Sequence, residues 1–449
     1  MVHAFSVLGC NIAVDVNSGA VHVLDQLSYD LIKAADGNYA EMPILPNVDP
    51  EEAAKAWQEL MELKDNGLLD APMDYVDPET AVPKDAPVKA LCLHVAHDCN
   101  LRCKYCFAST GDFGTGRKIM PPETAKKAID WVVKKSGQRH NIEVDFFGGE
   151  PLMAMDTVKE TVSYARAHEK EWGKHFRFTM TTNGVLLNDE NIHYFNENMD
   201  NCVLSLDGRK EVNDRNRLTV NGQGSYDVIV PKFLKLIEQR DKNKDYYVRG
   251  TFTRDNLDFS KDVISIADLG VDSISVEPVT ADDSDPYSLR EQDLPAIFAE
   301  YEKLTKIMLK RKDFNFFHFN VDLSQGPCVI KRMRGCGAGC EYVAVTPDGD
   351  LYPCHQFVGK DEYRMGSVFD DSFDMKIANT FAGLNIYTRG ECQECWARFY
   401  CSGGCSAANL NANGDLRKPY RLGCEMQRKR LECAIAIKAI EAGVAEITE

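Results

Sequence analysis

The 449-residue sequence predicts an α/β protein built around a parallel sheet curled into a partial (β/α)6 barrel. Three observations carry that expectation. From residue 88 onward, apolar strand-like runs alternate with amphipathic helical stretches six times over. Apolar residues make up 44% and charged residues 27% of the chain, an ordinary globular balance with ample material for a core. The two flanks differ from this middle, the first being strongly acidic and the last dense in cysteine. A chain of this length suits two or three domains, and we place them at 1–80, 81–320 and 321–449.

The N-terminal module opens with short β-type runs at Ala4–Leu8, Asn11–Val16 and Ala20–Val23, and Asn17-Ser18-Gly19 suits a hairpin turn. Helices are expected at about 24–36 and 50–66, the second stopped by Asn66-Gly67. The Pro- and Asp-rich stretch Ala71–Pro87 reads as a linker. Barrel strands are expected at Val88–Val95, Ile142–Phe147, Phe176–Thr182, Cys202–Leu206, Tyr246–Phe252 and Asp272–Glu277. Helices should lie near 122–136, 153–171, 188–197, 226–241, 259–268 and 291–311. In such a barrel, chemistry gathers at the C-terminal strand ends. After Cys328 the chain reads as loop-rich, and there is no internal repeat beyond the βα alternation.

Charge and composition exclude several function classes. The net charge of −17 argues against non-specific binding to nucleic acid or anionic membranes. Residues 1–87 hold 4 basic against 16 acidic side chains, so most of the excess sits in the N-terminal module. No apolar run approaches the length of a membrane span. Met1–Phe5 carries no basic segment ahead of an apolar stretch, so no signal peptide is expected. Sixteen cysteines without an export signal point to metal ligands and a soluble, cytoplasmic metalloprotein.

Cys99-Asn100-Leu101-Arg102-Cys103-Lys104-Tyr105-Cys106 places three cysteines on one tight loop after the first barrel strand. Three thiolates can hold three irons of a 4Fe-4S cube and leave the fourth open to an external ligand. Tyr105, just before the last cysteine, can shield the cluster and pack near a bound adenine. A zinc loop is the competing reading, with His94 or His97 as a fourth ligand. On this loop of a six-fold βα chain, the spacing resembles the radical SAM superfamily. The resemblance implies S-adenosylmethionine as cofactor. Gly148, Gly149 and Glu150, in Gly148-Gly149-Glu150-Pro151 after the second strand, would hold its amino group. The ends of the third and fourth strands, Thr181-Thr182-Asn183-Gly184 and Ser205-Leu206-Asp207-Gly208, offer Asn183, Ser205 and Asp207 for its ribose and carboxylate. Arg217 resembles a family arginine that pairs with the methionine carboxylate.

Downstream, Cys392-x2-Cys395-x5-Cys401-x3-Cys405-x18-Cys424 follows Cys336 and Cys354. Asp348-Gly349 is a hairpin signal that would put Cys354 at the end of a short strand. A pair of zinc knuckles would also use such spacing. The array resembles the SPASM domain, which implies two auxiliary 4Fe-4S clusters and three clusters in all. By that resemblance, Cys392, Cys395, Cys401 and Cys424 close one cluster, and Cys336, Cys354 and Cys405 hold the other. Cys340 is extra to the pattern, and spacing alone leaves it either a fourth ligand or a bystander beside an open iron. Cys10, Cys92, Cys202, Cys328 and Cys433 read as core or incidental thiols.

A β-hairpin and helices ahead of such a body resemble the winged-helix-like recognition element of ribosomal-peptide maturases, in which a leader peptide adds as a strand. The acidic balance would suit a lysine-rich leader. Over nearly its whole length the sequence resembles the maturases of SCIFF peptides ("six cysteines in forty-five residues"). The stretches that carry this run from Ala96 to Ala108, from Cys336 to Gly339, and from Tyr352 to Phe357. The resemblance implies thioether formation in a cysteine-rich precursor peptide, with a reductant such as flavodoxin or ferredoxin. It requires no general acid/base pair at the carbon centre, so no catalytic side chain is assigned. A sulfatase-maturing or peptide-epimerising relative is the alternative within the superfamily, and a zinc-rich binding protein the alternative outside it.

Overall fold

The computed structural model describes residues 1–73, 86–282, 284–323 and 333–444. Most of the expected linker, the 80/81 domain boundary and Cys328 lie outside the described residues.

The N-terminal module forms a three-stranded antiparallel sheet, β1 (Val2–Val7), β2 (Cys10–Asp15) and β3 (Val21–Leu24), with β2 in the middle. Helices α1 (Gln26–Ala35) and α2 (Pro50–Asp65) follow. Asp25 and Asp49 cap them, accepting from the backbone N–H groups of Ser28 and Glu51 that no helical carbonyl could satisfy. Asn66 ends α2, and Gly67 takes the left-handed φ of +68°. Ala13, Leu31, Ile32 and Leu60 pack into a small core of their own. The module docks on the C-terminal region. The His3 ring stacks on Trp396 at 4.0 Å, His3 Nε2 lies 3.0 Å from Glu432, and buried Arg398 donates to Asn17.

The central elements follow the expected alternation to within two or three residues. They run β4 (Ala90–His97), β5 (Leu101–Cys103), β6 (Lys118–Ile119), α3 (Pro122–Lys135), β7 (Asn141–Gly148), α4 (Met155–Trp172), β8 (His175–Thr182), α5 (Asp189–Asn198) and β9 (Asn201–Ser205). Next come α6 (Lys210–Asn216), β10 (Arg217–Thr219), α7 (Tyr226–Glu238), β11 (Asp245–Phe252), α8 (Ser260–Ala267), β12 (Ser273–Pro278), α9 (Leu294–Lys310) and β13 (Asn315–Phe316). Strands β4, β7, β8, β9, β11, β12 and β13 pair in parallel in that order. Every residue of β4 is buried, as expected of a central strand covered on both faces. In β7 and β8 the bulky residues alternate inward to the core, with Phe146 stacked 5.7 Å from Phe178.

The C-terminal region is more regular than its loop-like composition suggested. Strand β14 (Tyr342–Val345) pairs in parallel with β4, and β15 (Asp350–Tyr352) and β16 (Gly366–Ser367) continue the sheet antiparallel. The chain ends its described part in a long helix, Arg421–Glu441, against α9. That helix carries the run Cys433-Ala434-Ile435-Ala436-Ile437, buried all round, so the period that normally marks a helix is absent from its sequence. Cys10, Cys92, Cys202 and Cys433 are buried core thiols, as expected. No helix among the described residues is long and apolar enough to cross a membrane.

Candidate active site and cluster positions

A cavity of about 240 Å³ opens at the C-terminal ends of the barrel strands. Cys99, Cys103 and Cys106 line it together with Tyr105. The cysteine loop is shaped by its own residues: Arg102 donates to the Cys99 and Leu101 carbonyls, at 2.6 and 2.7 Å. Strand β5 pairs antiparallel with β10, which sets Cys103 opposite Arg217. Burial pushes the Cys99 and Cys103 thiols up to about 12, so binding a metal there must release protons. His94 and His97 are both buried behind this loop. His94 Nδ1 lies 3.1 Å from His97 Nε2, His97 Nδ1 lies 2.7 Å from Thr115 Oγ1, and both rings pack on Phe113. Neither lines the cavity, so neither stands as a fourth ligand beside the three thiols.

The Gly148-Gly149-Glu150 turn packs directly on this loop. Gly149 N–H donates to the Ala96 carbonyl and Glu150 N–H to the Asp98 carbonyl, at 2.7 and 2.8 Å. A Cβ at Gly149 would stand 2.1 Å from the Asp98 oxygen, and one at Gly148 (φ +134°) 2.2 Å from the Ala96 oxygen. The glycines are therefore needed for close backbone approach. Glu150 is buried and its carboxylate accepts from Leu152 N–H, Thr182 Oγ1 and Asn183 N–H. Burial pushes its carboxyl up to about 7 against those three hydrogen bonds. It thus clamps the end of β7 to the end of β8 while lining the cavity. Asn183 Nδ2 donates to Asn100 Oδ1 at 2.8 Å and lies 3.6 Å from Cys99 Sγ, which ties β8 to the cysteine loop.

Ser205 and Arg217 also line the cavity, whereas Asp207 lies behind them, fully buried. Its carboxylate accepts from the Tyr105 hydroxyl at 2.8 and 2.7 Å, from Arg217 Nε at 2.9 Å and from Thr251 N–H at 3.1 Å. The Arg217 guanidinium lies 5.7 Å from the Tyr105 ring centre. Asp207 is thus placed to orient the two residues that face the ligand space.

Among the wall residues that sequence reasoning missed, four bear most on the chemistry of the site. Arg249, within β11, and Glu277, next to the end of β12, form an ion pair at 3.0 Å. A signal was available for Glu277, since it sits at a C-terminal strand end. His355 and Gln356 arrive from the C-terminal region, immediately after Cys354. The His355 ring packs 4.9 Å from Phe147 and 5.4 Å from Phe107, and burial pulls its imidazole down to about 4. No local signal marks them, because the contact depends on β14 joining β4.

The C-terminal cysteines fall into two sets. Cys392, Cys395, Cys401 and Cys424 share the wall of a second cavity of about 860 Å³. Cys336, Cys354 and Cys405 form the other set: Cys405 and Cys336 both act on the Cys354 thiol, which burial pushes up to about 12. Gly339 N–H donates to the Pro353 carbonyl at 2.9 Å and holds the loop after Cys336 against the strand before Cys354. Cys340 is engaged differently. Its buried thiol donates to the Gly337 carbonyl at 3.3 Å and receives Arg334 Nη1 at 3.6 Å.

A family model described as a 4Fe-4S single cluster domain matches residues 89–231, and the SPASM iron–sulfur cluster-binding domain matches residues 336–396. The chain has the radical SAM fold with a C-terminal SPASM domain. Among curated relatives, the radical SAM–SPASM chain is 26% identical over 324 residues to the cysteine-type anaerobic sulfatase-maturating enzyme of Clostridium novyi, covering 69% of the chain and 85% of that protein. Its fold matches a solved structure of anSMEcpe with bound AdoMet at a TM-score of 0.65 and 19% identity, over 80% of this chain and 96% of that one. It also matches Streptococcus suis SuiB bound to S-adenosylmethionine at 0.53 and 15% identity. The SuiB likeness covers 93% of this chain and 97% of that one, so it reaches into the N-terminal module.

The residues of this radical SAM–SPASM chain fit the iron–sulfur groups that its two domains imply. Thiols are the donors such clusters require. Among the described residues, no three His, Cys, Asp or Glu side chains close around a single-ion position.

Proposed function

We propose that this chain is a radical SAM peptide maturase that closes a cysteine thioether in a ribosomally made, cysteine-rich precursor peptide. Cys99, Cys103 and Cys106 hold the first 4Fe-4S cluster. Tyr105, Gly148, Gly149, Glu150, Asn183, Ser205 and Arg217 surround S-adenosylmethionine, with Asp207 orienting Tyr105 and Arg217. Cys392, Cys395, Cys401 and Cys424 hold one auxiliary cluster, and Cys336, Cys354 and Cys405 the other. When bound, the first cluster and S-adenosylmethionine supply a 5′-deoxyadenosyl radical that takes hydrogen from a peptide carbon. The chain's own residues bind and orient: Arg217 meets a carboxylate through its guanidinium, and Phe107 and Phe147 give the cavity an aromatic wall.

One observation carries the thioether reading. The loop after Cys354 lines the barrel cavity through His355 and Gln356, which brings the chain next to one thiol of the three-thiol set to the space that the cysteine triplet lines. A peptide thiol held at that set would be deprotonated and close to the substrate carbon. Closing the crosslink joins sulfur to carbon, with the thiol proton released and one electron passed to a cluster. A flavodoxin- or ferredoxin-type protein would supply the initiating electron. Co-expression with a short cysteine-rich precursor should lower its mass by two hydrogens per crosslink, and an unchanged mass would overturn the reading. The likeness to a cysteine-type anaerobic sulfatase-maturating enzyme supports a second reading, maturation of a sulfatase at a cysteine. Assay against a sulfatase peptide separates the two.

Two further results are expected. Cys340→Ala should keep full iron content and crosslinking, because its thiol is already engaged by Gly337 and Arg334. Loss of one cluster together with crosslinking would make Cys340 the fourth ligand. The N-terminal module should capture the leader by strand addition, with β3 at its sheet edge. Titration of the full chain with a leader peptide should show affinity falling as salt rises, since exposed charge pairs are screened. Salt-independent binding would remove the acidic surface from the account.

A further inference from the structure

Arg389 is 2% exposed, and its position is unusual for a buried charge. Among the described residues, no carboxylate pairs with it. Nη1 donates to the Gly403 and Gly404 carbonyls at 2.7 and 3.2 Å, and Nη2 to Ser406 Oγ at 2.7 Å. Gly403 and Gly404 are the short bridge between Cys401 and Cys405, which belong to different cysteine sets. The Arg389 carbonyl in turn accepts from Cys392 N–H at 2.9 Å. A Cβ at Gly403 (φ +83°) would stand 2.7 Å from Arg389 Cδ, so the bridge is closed down on the side chain. Arg389 Nε is buried and finds no acceptor among the described residues.

A desolvated guanidinium with no carboxylate and an unused donor is costly unless a negative group stands beside it. The cysteines are the candidates. Burial works against the Arg389 charge, while Cys392, Cys336, Cys405 and Cys401, two from each set, act to sustain it.

We propose that Arg389 is the positioning residue shared by the two auxiliary cluster sites, its single positive charge holding the Cys401–Cys405 bridge in place and raising the reduction potentials of both clusters together. The inference rests on the ligand assignment given under the proposed function. A cluster gains one negative charge on accepting one electron, so a fixed buried cation favours the reduced form of each. Its unused Nε–H is the donor left for a cluster sulfur, and hydrogen bonds to the sulfurs are one of the protein's means of setting potential. The effect should be larger at the Cys336–Cys354–Cys405 site. The other site has a second guanidinium, with Arg428 Nη1 3.9 Å from Cys395 Sγ.

The test uses the full chain with all clusters reconstituted, in a Cys99, Cys103 and Cys106→Ala background that removes the first cluster's signal. Iron content and EPR at successive potentials, with dithionite as titrant, are read for the parent, Arg389→Gln and Arg389→Lys. In the parent, two EPR-active auxiliary clusters are expected, and their absence would overturn the ligand assignment itself. Loaded Arg389→Gln should shift both midpoints downward, by about tenfold in the one-electron equilibrium, or about 59 mV. Arg389→Lys should keep both midpoints near the parent's, since the charge remains. If Arg389→Gln fails to take up iron, Arg389→Lys decides alone. Two clusters with parental midpoints then support the shared charge, and failure to load there as well reduces Arg389 to a scaffold residue and overturns it. Unchanged midpoints in loaded Arg389→Gln, or movement of only one, would also overturn the proposal.

Discussion

Alanine at Cys99, Cys103 and Cys106 together is expected to end formation of 5′-deoxyadenosine completely, while the C-terminal thiol sets keep their iron. The three cysteines occupy one loop between β4 and β6, and β5 within it is paired only with β10. The C-terminal sets sit on other segments, around the 860 Å³ cavity and beside Cys354. Removing one set therefore leaves the other ligands in place. If each set holds a cube, iron should fall from about twelve to about eight per chain. The measurements are iron content, EPR of the reduced protein and chromatographic detection of 5′-deoxyadenosine. Any remaining 5′-deoxyadenosine would place the first cluster elsewhere.

The second large effect concerns Asp207, which the family resemblance assigns to ligand contact and which lies fully buried behind the cavity wall. Asp207→Ala removes the buried carboxylate that accepts from buried Arg217 and from half-buried Tyr105 and Thr251. The Arg217 charge is left without its partner, and breaking one side of a buried pair costs about 3–5 kcal/mol. The unpaired Tyr105 hydroxyl and Thr251 N–H add to that. S-adenosylmethionine binding should fail with it, because Arg217 and Tyr105 lose the group that orients them. Adding Arg217→Met should recover much of the stability and none of the binding. A single Asp207→Ala variant within about 1 kcal/mol of wild type in denaturant unfolding would mean the pair is not coupled.

The six strand–helix units were legible because each announces itself locally. Apolar runs bounded by turns and amphipathic stretches of helical period need no long-range information. The helix Arg421–Glu441 escaped because its buried end, Cys433–Ile437, is apolar on every side and has no period to read. The cysteine triplet and the later array were legible for a different reason, since thiols at short, regular spacing read as metal ligands. The reading of His94 or His97 as a metal ligand beside the triplet failed on orientation. Strand β4 turns both into a buried, mutually bonded pair behind the loop.

The sequence by itself determined the order of elements, the identity of the thiols and the motifs at successive strand ends. Tertiary structure decided which of these share a space. Pairing of β14 with β4 crosses about 250 positions of chain and carries His355 and Gln356 into the barrel cavity. The folded loop also engages the Cys340 thiol with the Gly337 carbonyl and Arg334, a choice of partners that its spacing of four from Cys336 does not reveal. Folding likewise buries Arg389 against the bridge from Cys401 to Cys405. Spacing constrains what neighbours along the chain can do. Burial, and the choice of partner for a charge taken out of water, are settled only when distant segments close on one another.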